Sequence, residues 1–378
     1  MTSPNDIICT RLLLEEGAFL QRMANQHRDR PNESPGLSLT AFPFLALIEH
    51  DAVPYLETKC GIRLPHESKE LKRTRHRTKS LNSRFLKYEN YSEEARKVIL
   101  ASSQHFSKTG IARLFPTVKS KDVGISFFEG MPVYSTHIAS YKFGKTISPV
   151  DEDESEKQYF LEYGYGAGSA GSILVALADQ HIQDKALFSA RPFRLTANDF
   201  SYDELIKPLA RKGVEDEVVF FFISEILTQI ASVEALRRAG FLDDLLWIKL
   251  STYCLFHAEK ALGSFSGFVH KKEHASLYPD EFVHELSLII SREERKTIKS
   301  SRKLRDSFVH YDFKELTARL DSKNEGLWKL LDIVIYRAVD MNLQEYAHFL
   351  SATSAELISR LSRLIDFPPY DSQRNVLE

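Results

Sequence analysis

Cysteine is scarce in this chain: 378 residues contain three, Cys9, Cys60 and Cys254, far apart. An odd, scattered set excludes a disulfide framework, offers no zinc-ligand spacing and fits a reducing cytoplasm. Excess charge of either sign is also missing, since 50 basic and 52 acidic side chains leave a formal net charge of −2. The whole molecule is therefore no polycation, and any nucleic-acid contact has to come from a local patch. Long apolar runs are absent too. The most apolar stretch, Val218 to Ile230, carries Glu225, whereas a bilayer span needs ~20 apolar residues. Met1 to Asp6 lacks the basic start and apolar centre of a signal peptide. What is present is ordinary for a globular protein, with 43% apolar and 27% charged residues. These properties predict a soluble cytoplasmic protein that uses no membrane, and the length suggests two domains.

Texture divides the chain. Residues 1–212 read as an α+β domain. Asp6 to Gln26 has the apolar stripe of an opening amphipathic helix, through Ile7, Leu12, Leu13, Phe19 and Leu20. Arg28 to Gly36 reads as a loop, and Ala41 to Ile48 as strand or helix, which periodicity does not separate. Gly124 to Lys145 reads as two strands around a Glu129-Gly130 turn. Ser148 to Lys157 reads as a solvated acidic loop. Tyr159 to Tyr165 and Ala186 to Leu195 read as further strands, with a helix from Ser172 to His181 between them. Residues 213–378 carry almost no strand signal and predict an all-α antiparallel bundle, so the chain is predominantly helical overall. One helix spans Val218 to Ala239 and ends at Gly240. A second, capped by Asp243, runs to about Leu262 and breaks at Gly263 to Gly267. A third is capped by Asp280, a fourth covers Glu293 to Leu320, and a fifth, single or double, covers Leu327 to Leu364.

The chemistry-bearing stretch is Arg305-Asp306-Ser307-Phe308-Val309-His310, inside a basic run on the fourth helix. An imidazole takes or gives a proton near neutral pH. A guanidinium holds a phosphate through a two-pronged contact and meets the charge that builds on it. Together they can cleave RNA without metal, because RNA carries its own nucleophile in the 2′-hydroxyl. On an ideal helix, positions five apart differ by about 140°, so Arg305 and His310 do not share a tight face. Asp306 and His310, four apart, do, and Asp306 could orient the imidazole.

The bundle and the segment Lys303-Leu304-Arg305-Asp306-Ser307-Phe308-Val309-His310-Tyr311-Asp312 resemble the HEPN family, whose motif is Arg, often followed by a polar residue, then His after four to six intervening residues. The resemblance covers residues 216 to 366. It implies a HEPN-like bundle, a metal-independent endoribonuclease needing no cofactor, RNA as partner, and a homodimer with two motifs facing one cleft. The segment is similar to those of abortive-infection and toxin proteins, which implies antiviral defence and a restraining antitoxin or trigger protein. Other members keep the fold without cutting RNA, so a non-catalytic dimerisation, scaffold or RNA-binding role stands as the alternative. The catalytic candidates are Arg305, Asp306 and His310.

The RNA-binding candidates are Lys299, Arg302 and Lys303 beside the motif, and Lys72, Arg73, Arg75 and Arg77 in a second basic run, His66 to Lys87. A charged stripe is equally well a solvated face. Gly164 to Gly171 precedes a helix, so its amides could cradle an anion, but it lacks the Lys-Ser/Thr of a phosphate loop, which favours a tight turn or a mobile linker. His270, His274 and His284 are too loosely spaced for a zinc site and read as solvent-facing. His257 and His348 read as core residues, and Phe220, Phe221 and Phe222 as packing.

Overall fold

A computed structural model describes residues 3–61, 69–78, 88–107, 121–143, 168, 171–320 and 326–368. The molecule is predominantly helical, with one small three-stranded sheet among the described residues.

The first residues are more helical than their composition suggests. Helix α1 is Pro4–Asp29, capped by the Ser3 hydroxyl, which accepts from the Asp6 amide. The expected loop at Arg28 to Gly36 is a short 3-10 turn, Pro31–Glu33, leading directly into α2, Ser34–Cys60. The ambiguous stretch Ala41 to Ile48 is thus helical, and α2 continues through Pro43 and Pro54 to a left-handed Gly61. The described part of the second basic run forms α3, Lys69–Thr78, and its remaining residues lie outside the described ones; α4 is Tyr88–Ser107.

Strands β1, Val123–Phe128, and β2, Met131–Ser135, form the expected hairpin around Glu129 and Gly130, both at positive φ. Beyond Ser135 the expected strand is instead helix α5, Thr136–Phe143. The strand expected over Ala186 to Leu195 is also corrected: residues Lys185–Phe188 make a 3-10 turn, and the third strand, β3, is Thr196–Phe200. Both partners pair antiparallel with β1, giving the order β2-β1-β3. Pro132 is tolerated because β2 is an edge strand. The acidic loop from Ser148 to Lys157, the strand expected at Tyr159 to Tyr165, and most of the glycine-rich stretch that follows lie outside the described residues. Residues 171–181 are helical, as expected.

After α6, Tyr202–Arg211, come two long central helices, α7, Val218–Arg238, and α8, Asp244–Val269. Gly240, at φ 78°, follows α7 as the sequence suggests. Asp243 precedes α8, but its carboxylate is held by Arg22 at 2.8 and 3.0 Å rather than capping the helix. The break expected at Gly263 to Gly267 does not occur; α8 runs through both glycines. Among the described residues, α7 is the one helix long and apolar enough to cross a membrane, and it is buried inside the fold. Phe220, Phe221 and Phe222 are all buried, against Tyr88, Tyr91, Tyr141 and Tyr202.

Helix α9, Asp280–Leu288, starts after Pro279. The expected fourth helix divides into α10, Arg292–Ser300, and α11, Arg302–His310, and its last expected residues form turns. The expected fifth is two helices, α12, Leu327–Val339, and α13, Leu343–Leu364. Asp340 in the left-handed region turns the chain between them, and Asn342 with Glu345 forms a capping box on α13. One hydrophobic cluster runs from Ile8 to Ile365 and includes residues of both halves.

Candidate functional site

Helix α11 carries the motif. Its apolar positions Leu304 and Phe308, four apart, are buried, which fixes the inward face. Arg305 lies beside that face. Its guanidinium stands 4.5 Å from the centre of the Phe256 ring on α8 and reaches Asp306 at 3.0 Å. The side chain is 17% exposed, and Nε is buried without a hydrogen bond. Asp306 also meets Arg302 at 3.7 Å. His310, the last helical residue, is exposed, with no hydrogen-bond or ion-pair partner among the described residues. One chain therefore holds its arginine against its own α8 and leaves its imidazole in solvent. No bond joins Arg305 or Asp306 to His310; Asp306 is engaged by arginines instead, because guanidinium–carboxylate contacts are strong and local.

The helix stops at His310 because Tyr311 is left-handed, at φ 50° and ψ 40°. A non-glycine residue there costs about 1–2 kcal/mol, so something has to hold it. Tyr311 is buried and its hydroxyl donates to Glu16 of α1. Lys249 of α8 donates to the same hydroxyl at 3.2 Å and to Glu16 at 2.8 Å. The Cys9 thiol donates to the Tyr311 carbonyl at 3.1 Å, and the Phe313 amide to Asn5 at 2.6 Å. Burial pushes the Glu16 carboxyl above the usual carboxylate range, against the pull of Lys249 and Tyr311. Helix α1 thus grips the residue next to His310. Sequence reading missed Glu16, Lys249 and Tyr311; the signal was two adjacent acids, Glu15 and Glu16, within the apolar run of α1.

The flanking cations are exposed but not free of acids. Lys299 reaches Glu259 at 3.5 Å, and Lys303 reaches Glu315 at 2.5 Å. In the second basic run, Lys72 and Arg73 are exposed. Arg75 and Arg77 turn inward, Arg75 to Asp51 at 3.3 Å and Arg77 to the Tyr141 carbonyl. The fold brings part of both runs together around Tyr253. Its hydroxyl is buried and unpartnered; burial and Asp51 raise its pKa, while Arg75 and Arg305 act to lower it.

Other candidates resolve simply. His257 is buried, stacked 3.9 Å from Tyr253. His348 is exposed, not in the core, because it lies on the outer face of α13. His270 and His284 are exposed, and His274 stacks on Phe268. Among the described residues no cluster of His, Cys, Asp and Glu could hold a metal. Comparison with models of protein families, with curated proteins and with solved structures finds no match.

Proposed function

We propose that this chain is a metal-independent endoribonuclease of the HEPN type that acts as a homodimer. The single observation that carries the reading is His310: an exposed imidazole with no intramolecular partner among the described residues, at the end of a helix that also exposes Arg302 and Lys303. A group committed to structure would be bonded, and this one is available.

In this reading the RNA backbone runs along the ridge of Lys299, Arg302 and Lys303, with Lys72 and Arg73 as a second contact. His310 removes the 2′-hydroxyl proton. The oxygen attacks the adjacent phosphorus, the bond to the 5′-oxygen breaks, and a 2′,3′-cyclic phosphate forms. The partner subunit's His310 protonates the leaving oxygen. Arg305 stabilises the non-bridging oxygens once it exchanges Asp306 for phosphate. General acid–base help of this kind contributes roughly 10²–10⁴-fold. The setting is cytoplasmic antiviral defence or toxicity, and α1, which grips Tyr311, is where a trigger or antitoxin would act on the site.

The test is His310→Ala, which removes an exposed side chain and leaves the core untouched, alongside Arg305→Ala. Purified protein is incubated with total RNA in EDTA, and cyclic-phosphate ends are read. Both variants should lose cleavage and cellular toxicity while keeping the wild-type circular dichroism spectrum. Undiminished cleavage by both removes the proposal. A second reading, a non-catalytic scaffold or RNA-binding protein, draws on Arg305, which already has Asp306 and the Phe256 ring as partners. It requires RNA to stay intact with wild-type protein at any concentration.

A further inference from the structure

A second polar site lies far along the chain from the motif and is independent of the ribonuclease reading. Lys142 of α5 is 4% exposed, yet its ammonium has no hydrogen bond or ion pair among the described residues. It lines a cavity of about 20 Å³ between α2, β2, α5 and α7. Two other lining residues bring unpartnered polar atoms: Tyr134, whose hydroxyl is buried, and Gln229, whose amide nitrogen is buried. A buried polar atom without a partner is costly, and two such atoms beside a buried ammonium around one cavity call for an occupant.

Their chemistry specifies the occupant. An ammonium, an amide NH₂ and a phenol hydroxyl all donate. The hydroxyls of Thr40, Thr228 and Ser232 also line the cavity, but each already gives its proton to a backbone carbonyl. We infer that this cavity binds a small monovalent anion, of halide or one-carbon oxyanion size, held by Lys142, Gln229 and Tyr134. The volume is about that of a water or slightly more, which excludes phosphate esters and nucleotides. Glu225, one turn before Gln229 on α7, does not line the cavity; its Oε2 accepts from the Tyr91 hydroxyl at 2.7 Å. Burial pulls the pKa of Lys142 down, and Glu225 pulls it back up from beyond ion-pair distance. The apolar lining from Phe44, Val133 and Ile138 makes the ammonium's need for a partner stronger, not weaker.

Thermal unfolding of the full chain in formate, nitrate or chloride, against sulfate at matched ionic strength, tests the inference. The small anions should raise Tm saturably and sulfate should not. Lys142→Met, which keeps the volume and removes the charge, should abolish the difference; Gln229→Leu should weaken it and covers the case in which Lys142→Met fails to fold. Crystals grown in bromide should show an anomalous peak beside Lys142 Nζ. An equal response to every salt, a response that survives both substitutions, or a peak with no anomalous signal would mean that the cavity holds water only, and the inference falls.

Discussion

Lys249 and Glu16 form a buried ion pair whose value lies in what it holds. Both side chains are at most 3% exposed, 2.8 Å apart, and share the Tyr311 hydroxyl. Removing one member strands the other, which costs about 3–5 kcal/mol. Lys249→Met should therefore lower the urea midpoint sharply, and adding Glu16→Gln should recover part of the loss. Strict additivity of the two substitutions would show that they do not act as a pair. His137 makes a different claim. Burial lowers its pKa from 6.5 to about 4, against a backbone contact with Asp122 that raises it. The unfolded chain binds this proton first, so stability falls as pH drops from about 6.5 toward 4, by about 3 kcal/mol at the lower end. Glu15 works in the opposite sense: burial raises it to about 7, so its contribution shrinks as pH rises from about 4.5 to 7. Denaturant midpoints across this range should show His137→Gln losing less stability in acid than the wild type; an unchanged slope would refute the assignment.

At the scale of elements, the informative cases are those where local signals and packing disagree. Gly263 and Gly267 read as a break, yet α8 passes through them because Phe265 and Phe268 are buried and carry the helix past both. An added Cβ at Gly267 meets nothing within 4 Å. Gly267→Ala should then stabilise the protein by about 0.5–1 kcal/mol, since glycine is the poorer helix former; a lower denaturant midpoint would count against the continuous helix. Gly17 is the reverse: a Cβ there would overlap the Leu174 carbonyl oxygen and come 2.8 Å from the Ala178 Cβ. Gly17→Ala should force α1 away from the helix over residues 171–181 and lower the thermal midpoint. The outer ends of α10 and α11 were legible only in part. Ser291 and Glu294 form a capping box that marks the start of α10, but nothing local marks the stop at Tyr311, which long-range bonds to α1 and α8 impose.

For the whole molecule, composition suggests a boundary near residue 212, and one apolar cluster includes residues from both sides of it, Ile8 to Ile365. A shared core of this kind should unfold as a unit. Calorimetry should show one transition, and two well-separated transitions would point to independent domains. By itself, the sequence determined where most helices form, that Phe220 to Phe222 are interior, and that an arginine and a histidine share α11, because periodicity and turn residues act over a few positions of chain. Only the tertiary structure decided that Arg305 faces Phe256, that α1 holds Tyr311, and that Lys142 meets a cavity. Those outcomes depend on which charges and rings distant segments bring within a few ångströms, and no local pattern encodes that.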